Sequence, residues 1–264
     1  MTLRERLARL DSGRGRMAMV VATGVILVLV AWEAVDVWHY FSGRGELAED
    51  WVFYVKLGHR WLDSGVIYGD RQLTGQPYHV LVNDDNQYPP TSILLFAAFA
   101  LAPPLVSALV WWVAPIAVIA YALIRLRPSA WTWPVIAFCV FWPRTIGSLI
   151  VGNSDLVSAG FVAGGILWGW PGALGSFKPS FAPFGLVGAR RRSWWVALAA
   201  GLALSVPFVL NGAWAQYVTA VRNWDLPWDR AILNVPLLLI PIVAWLGRRS
   251  SDRAPGESRA EEAT

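Results

Sequence analysis

Two ionisable residues stand out by type and surroundings. Asp50 lies in ELAEDWVFYVKLGHRWLDSGVIY (Glu46–Tyr68), between an apolar run and an aromatic-rich segment. A carboxylate beside aromatic and apolar neighbours at a membrane surface loses solvation, which raises its basicity and suits it to general-base work. The same residue can instead cap a helix starting at Trp51, because Asp is a favoured N-cap. Lys178 lies in the apolar stretch GSFKPSFAPF and is one of two lysines, against 20 arginines. A charge within a membrane costs about 2.5–3.5 kcal/mol on insertion scales and usually serves a function. Pro179 and Pro183 break the helix there, and backbone groups freed at membrane depth are tolerated against protein or a cavity. A lysine beside a broken helix can bind phosphate with the help of helix N–H groups, or it can snorkel to the headgroups.

Two further stretches carry polar residues into apolar surroundings. In NDDNQYPPTSILLFAAF (Asn83–Phe99), Asp84 and Asp85 form either a solvated turn or a site for a metal or sugar. Tyr88-Pro89-Pro90-Thr91 reads as a helix start, where proline's missing N–H costs nothing. In RTIGSLIVGNSDLVSAGFVAGG (Arg144–Gly165), Gly152-Asn153 begins a helix with Asp155 in its first turn, where negative charge suits the helix dipole. Gly160 and Gly164 give that helix a small-xxx-small face for close packing. The histidines, His39, His59 and His79, have no metal-ligand spacing. The single cysteine, Cys139, reads as a packing residue and permits no intramolecular disulfide. No cofactor is indicated, although the Asp84–Asp85 pair leaves a divalent metal open.

The elements that must position these residues are helices in a membrane. Of 264 residues, 56% are hydrophobic and 15% charged, with mean hydropathy +0.45. Soluble domains carry about 25% charged residues. The net charge of +4 comes from Arg runs at the ends of apolar segments rather than from a nucleic-acid surface. The fold class is therefore all-α and polytopic, with about six to eight transmembrane or re-entrant helices. Residues 1–16 form a basic cytoplasmic N-terminus, 17–247 a single transmembrane domain, and 248–264 a disordered cytoplasmic tail. The run from Met17 to about Val37 has the ~20 residues a crossing needs and reads as an uncleaved first helix. Further runs are Leu105–Ile124, Ala130–Pro143, Asn153–Trp170, Trp194–Asn211 and Ala231–Leu246. Two shorter runs, Thr91–Ala102 and Pro171–Val187, either cross as a pair or form re-entrant or half-buried elements; a 12-residue helix is too short to span the core untilted. The Arg-rich turns near 125, 190 and 248 belong to the cytoplasmic side, so six crossings satisfy the charge rule. Residues 38–90 then form a long extracytoplasmic loop, with four basic against seven acidic residues. Within it, Trp51, Tyr54, Val55 and Leu62 fall on one helical face and Lys56, His59, Arg60 and Asp63 on another. This pattern predicts an amphipathic helix on the outer membrane surface.

Taken in order, the pieces resemble glycosyltransferase family 87 of the GT-C superfamily. They are an Asp soon after the first helix, an aromatic segment ending SGVIY, then QYPPTSILLFAAFALAPP, VGNSDL and GSFKPSFAPF before a basic turn. The resemblance runs from about Asp50 to Arg192 and rests on the order and spacing of short motifs. It implies a polytopic fold with its active site at the extracytoplasmic face of a bacterial plasma membrane. The implied partners are a polyprenyl-phosphate-sugar donor such as polyprenyl-phosphate-mannose, a lipid or glycan acceptor, and membrane lipids. It assigns Asp50 as the catalytic acidic residue. Lys178, with Arg60 and Arg144 as alternates, becomes the candidate donor-phosphate ligand, and Tyr54, Asp84, Asp85, Tyr88, Asn153 and Asp155 complete the candidate site. Family members are typically longer, with more C-terminal helices. The other expectation is a non-catalytic membrane protein, a class that an intramembrane Lys178 beside broken helices also fits: a lipid-carrier binder, a transporter, or a degenerate relative acting as an assembly partner.

Overall fold

The computed structural model describes residues 13–44, 47–74, 85–224 and 233–248, and among these it is all-helical, with no β-strand. A long helix α1 (Gly13–Arg44) leads, followed by α2 (Glu49–Ser64) and the single turn α3 (Asp70–Leu73). Next come α4 (Ser92–Leu101), α5 (Pro104–Leu126), α6 (Trp133–Phe141), α7 (Pro143–Val151) and α8 (Ser154–Trp168). A short α9 (Trp170–Leu174) opens a broken segment of 3₁₀ turns ending in α10 (Ala182–Gly185). The last helices are α11 (Arg192–Leu210), α12 (Ala213–Arg222) and α13 (Val235–Leu246).

The pattern of α5 shows why the fold suits a bilayer. Ser107, Trp111, Pro115, Ile119 and Ala122 are buried along one stripe, the three-to-four spacing of a packed helical face. Its other side exposes Leu105, Leu109, Val113, Ile116 and Ile124. A helix in water would carry polar residues there, so the exposed face matches hydrocarbon. α11 is more peripheral still, burying only Trp194 and Phe208. By length and composition, α5 and α11 can each cross a membrane, and the bent pair Ala130–Phe141 with α7, at 52°, makes a third if counted as one span. The other apolar runs form shorter helices among the described residues, including Gly15–Val28 within α1, α4, α8 and α13. The six crossings expected from charge are thus represented by two or three helices of sufficient length. α4 has ten residues, so it spans roughly 15 Å, half of a ~30 Å hydrocarbon core. The run Pro171–Val187 is broken as its prolines predict.

α8 is the central element, with twelve of its fifteen residues buried. α5, α13 and α9 pack around it. A Cβ on Gly160 would lie 2.7 Å from Pro115 Cβ of α5, so this member of the small-xxx-small pair does set a helix–helix approach. Gly164 faces Pro171 of the following turn. One apolar core joins α5, α6, α8 and α13 through Ile119, Ile136, Leu156, Val162 and Leu238. A second, aromatic core joins Tyr54, Tyr68, Tyr88, Phe96, Trp111 and Phe177. The first turn of α8 lies between the two, with Leu156 in one and Val157 in the other.

The stretch expected to be loop from Trp38 is helical to Arg44, because α1 continues past its apolar part. α2 does not lie alone on a surface. It packs along α4, and its buried face is Tyr54, Leu57 and Gly58. The approach is close enough that a Cβ on Gly58 would sit 2.4 Å from the Phe96 carbonyl oxygen. Of the apolar face read from sequence, Tyr54 turns into the protein and Leu62 faces outward. The expected N-terminal segment through residue 12, the tail from residue 249, and Asp84 and His79 lie outside the described residues.

Candidate functional site

The site is built on the α7–α8 junction. Gly152 turns the chain there in the left-handed region, at φ 71°, which a side chain would strain. A Cβ at this position would also lie 2.6 Å from the Trp112 ring. Two neighbouring tryptophans of α5 fasten the junction: Trp111 Nε1 donates to the Gly152 carbonyl at 2.8 Å and Trp112 Nε1 to the Leu149 carbonyl at 2.6 Å. The start of α2 is tied to the same place, because the Ala48 N–H donates to the Ile150 carbonyl at 3.1 Å.

Asn153 follows as the N-cap of α8, at the helix start expected at Gly152-Asn153. Its Oδ1 accepts from the Asp155 backbone N–H at 3.0 Å. That bond fixes the amide's orientation, since the end facing a backbone N–H must be the oxygen. The other end, Nδ2, therefore points to Asp50 and donates to its Oδ2 at 2.5 Å. Asp50 is not a cap. α2 begins one residue earlier, at Glu49, with Ala48 in the cap position, so Asp50 lies in the first turn and turns its carboxylate to α8. Burial pushes the Asp50 carboxyl up to about 6; the Asn153 hydrogen bond and the Lys178 charge hold it down, while Asp155 and Glu49 push it further up.

Lys178 and Asp155 form an ion pair through Nζ and Oδ1. The Asp155 side chain is 0% exposed and that of Lys178 17%. The ammonium also reaches Ser154 Oγ at 3.5 Å, and it lies 4.8 Å from the Phe181 ring centre and 5.9 Å from that of Tyr88. This is an inward placement rather than the snorkelling one. The turn carrying Lys178 is anchored one residue before it, where Ser92 Oγ of α4 donates to the Phe177 carbonyl at 2.9 Å. The second Asp155 oxygen, Oδ2, is buried without a hydrogen-bond partner.

Two tyrosines close the cluster. The Tyr54 and Tyr88 hydroxyls share a hydrogen bond at 2.8 Å, and Tyr88 shares another with Ser154 Oγ at 2.8 Å. The Ser154 backbone N–H donates to the Tyr54 oxygen at 3.3 Å. Tyr54 stacks on Phe96 with ring centres 4.8 Å apart. Tyr88 is presented by the Tyr-Pro-Pro turn, whose carbonyl accepts from the Tyr68 hydroxyl at 2.7 Å. Upstream, buried Gln72 grips Asn86, accepting from its N–H at 3.0 Å and donating to its carbonyl at 2.9 Å.

The structure thus brings Asp50, Tyr54, Tyr88, Asn153, Asp155 and Lys178 into one cluster. It does not bring Arg60 there: this residue lies ten positions along α2 from Asp50, roughly 15 Å, and donates to the Ile67 carbonyl at 2.6 Å. Arg144 is exposed at the start of α7, the opposite end from the Asn153 junction. Asp85 is buried, against the solvated-turn reading. Ser154, which bridges Tyr88 and Lys178, is a member that the sequence reading did not single out. The run Asn-Ser-Asp, polar at the head of an otherwise apolar helix, is the signal that contained it. Among the described residues, no three His, Cys, Asp or Glu side chains group as metal ligands.

No protein-family model, curated protein or solved structure matches this chain.

Proposed function

We propose that this chain is a membrane glycosyltransferase. It moves a sugar, mannose in the family it resembles, from a polyprenyl-phosphate donor to a lipid or glycan acceptor at the extracytoplasmic face. The observation that carries this reading is the placement of Asp50. It is a largely buried carboxylate with its titration raised to about 6, close to the pH at which a general base works best. It is held by one amide in a cluster with a single cation. In the reaction, the acceptor oxygen attacks the anomeric carbon and its proton passes to Asp50. The bond from that carbon to the phosphate oxygen breaks, and polyprenyl phosphate leaves with the electron pair. The outcome is inversion through an oxocarbenium-like transition state. Lys178 offers three N–H groups; two meet Asp155 and Ser154, and the third is directed to the departing phosphate, whose charge it offsets. Arg60 and Arg144 are less suited, being set apart from Asp50.

One observation favours a non-catalytic lipid-carrier binder, transporter or assembly partner: the Lys178 charge is already matched by Asp155, as a purely structural intramembrane pair would be. A transfer assay separates the two readings. Purified protein in nanodiscs is given radiolabelled polyprenyl-phosphate-mannose and a pool of lipid and glycan acceptors, and wild type is compared with Asp50→Asn. Label transfer that depends on Asp50 supports the enzyme. Donor binding without transfer supports the binder. Folded protein that does neither, with mannosyl and glucosyl donors alike, refutes both.

A further inference from the structure

We infer that Asn153 is the positioning residue of Asp50: one side-chain amide caps α8 with its oxygen and, because that oxygen is committed, holds the carboxylate in a single orientation with its nitrogen. The inference rests on the reading of Asp50 as the base. It also adds a role that neither the cap nor the carboxylate has alone. Asn153 and Asp50 are 103 residues apart in the chain, and each is also held by bonds other than the one between them. Asn153 is fixed by the bond from the Asp155 N–H and by the tryptophans gripping the preceding turn. Asp50 is fixed by the tie from Ala48 to Ile150. Two anchored elements therefore meet at the carboxylate through the Asn153 amide, 2.5 Å from Oδ2, and the bond's direction is set by the cap.

The amide matters chemically because of what else faces Asp50. Lys178, from the turn before Pro179, favours the ionised form. Asp155 of α8 and Glu49 of the same helix disfavour it. Tyr54, one turn along α2, feels the Asp50 charge in return. α4, packed along α2, carries no charged residue between Ser92 and Leu101, and the Arg144 of α7 is at that helix's far end. Neighbouring charges thus push in opposite directions, and the Asn153 donor is the one neutral group bonded to the carboxylate. It stabilises the charged form, holding the carboxyl down against burial, and it does so from one fixed direction.

Serine caps helices about as well as asparagine but cannot reach across to Asp50. Asn153→Ser therefore removes the donor and leaves the cap. The experiment follows Asp50 directly, by the infrared carboxylic C=O band that titrates in wild type and vanishes in Asp50→Asn. In Asn153→Ser the midpoint should move to higher pH by about one unit, a tenfold change in the ionised fraction at a given pH. Asn153→Asp keeps the cap and sets a second carboxylate against the first, so it should move the midpoint further the same way. It serves in place of the serine variant should that fail to fold. Transfer by Asn153→Ser should fall at least tenfold, with the acid limb of its pH profile displaced by the same interval. An unmoved Asp50 midpoint in the folded variants overturns the inference, whatever the transfer assay says. An inactive wild type with a displaced midpoint overturns the enzymatic reading and leaves the positioning intact.

Discussion

Consider what happens when the buried ion pair is opened from one side. Asp155 is 0% exposed and its Oδ2 already lacks a partner. Lys178→Met would take the ammonium from Oδ1 and leave a carboxylate in an aromatic and aliphatic cluster with neither oxygen engaged by a side chain. Breaking a buried pair in this way costs about 3–5 kcal/mol. Asp155→Asn, nearly the same size, leaves the ammonium with Ser154 Oγ at 3.5 Å and the Phe181 and Tyr88 rings. A cation over a desolvated ring recovers about 2 kcal/mol, so this variant should lose less, about 1–3 kcal/mol. The double variant has no charge left to strand. Its loss should fall below that of Lys178→Met alone, giving a coupling of about 2 kcal/mol or more. Unfolding in mixed micelles, followed by the fluorescence of the 17 tryptophans, measures all four proteins in one experiment. Losses that add to within about 0.5 kcal/mol would refute the claim that the two charges depend on one another.

Other outcomes follow from the same geometry. Asp50→Asn should abolish transfer while raising stability at neutral pH. The folded-state value of about 6 lies above the ordinary 3.8, so the folded form binds the proton more tightly and loses stability as pH rises from about 4 to about 6. The full difference is about 3 kcal/mol; a lower unfolding midpoint for the variant at pH 7.5 would contradict this. Wild-type transfer, if Asp50 must be ionised, should rise with pH through about 6 and then level; a profile flat from pH 5 to 8 would remove Asp50 as the base. Tyr88→Phe takes the middle hydroxyl from a buried chain of three and should cost about 1–3 kcal/mol in the same unfolding assay. Gly58→Ala forces a methyl to within 2.4 Å of the Phe96 carbonyl oxygen, and α2 should separate from α4 at a cost of about 1–3 kcal/mol, seen as faster amide exchange in both helices.

Much of the site could be read in the sequence because burying a charge is expensive. An Asp and a Lys in apolar runs must find partners, and Asp155 and Lys178 find each other. The cap at Asn153 was readable for a different reason, since capping is local chemistry between neighbours. What could not be read is which distant groups meet. The Asp50–Asn153 bond spans 103 residues and depends on a helix start one residue earlier than the pattern suggests. That shift made Asp50 look like its own helix's cap. Arg60 and Arg144 carried the right charge, but no spacing rule says that one would be spent on the Ile67 carbonyl and the other left outside. Nor can hydrophobicity alone tell burial against α4, as at Tyr54, from an outward face, as at Leu62, in a chain whose outer surfaces are also apolar.

The spacing of the ion pair bears on how the chain is made. Asp155 and Lys178 are 23 residues apart, and ribosomes add about 5–20 residues per second. The acidic partner therefore leaves the ribosome about 1–5 s before the basic one. During that interval the carboxylate in the first turn of the helix from Ser154 to Trp168 is without its cation. The broken, proline-rich segment then delivers the lysine, and the pair can close. Synthesis itself is thus ordered so that the first turn of this helix is completed last, after the segment that follows it has been made.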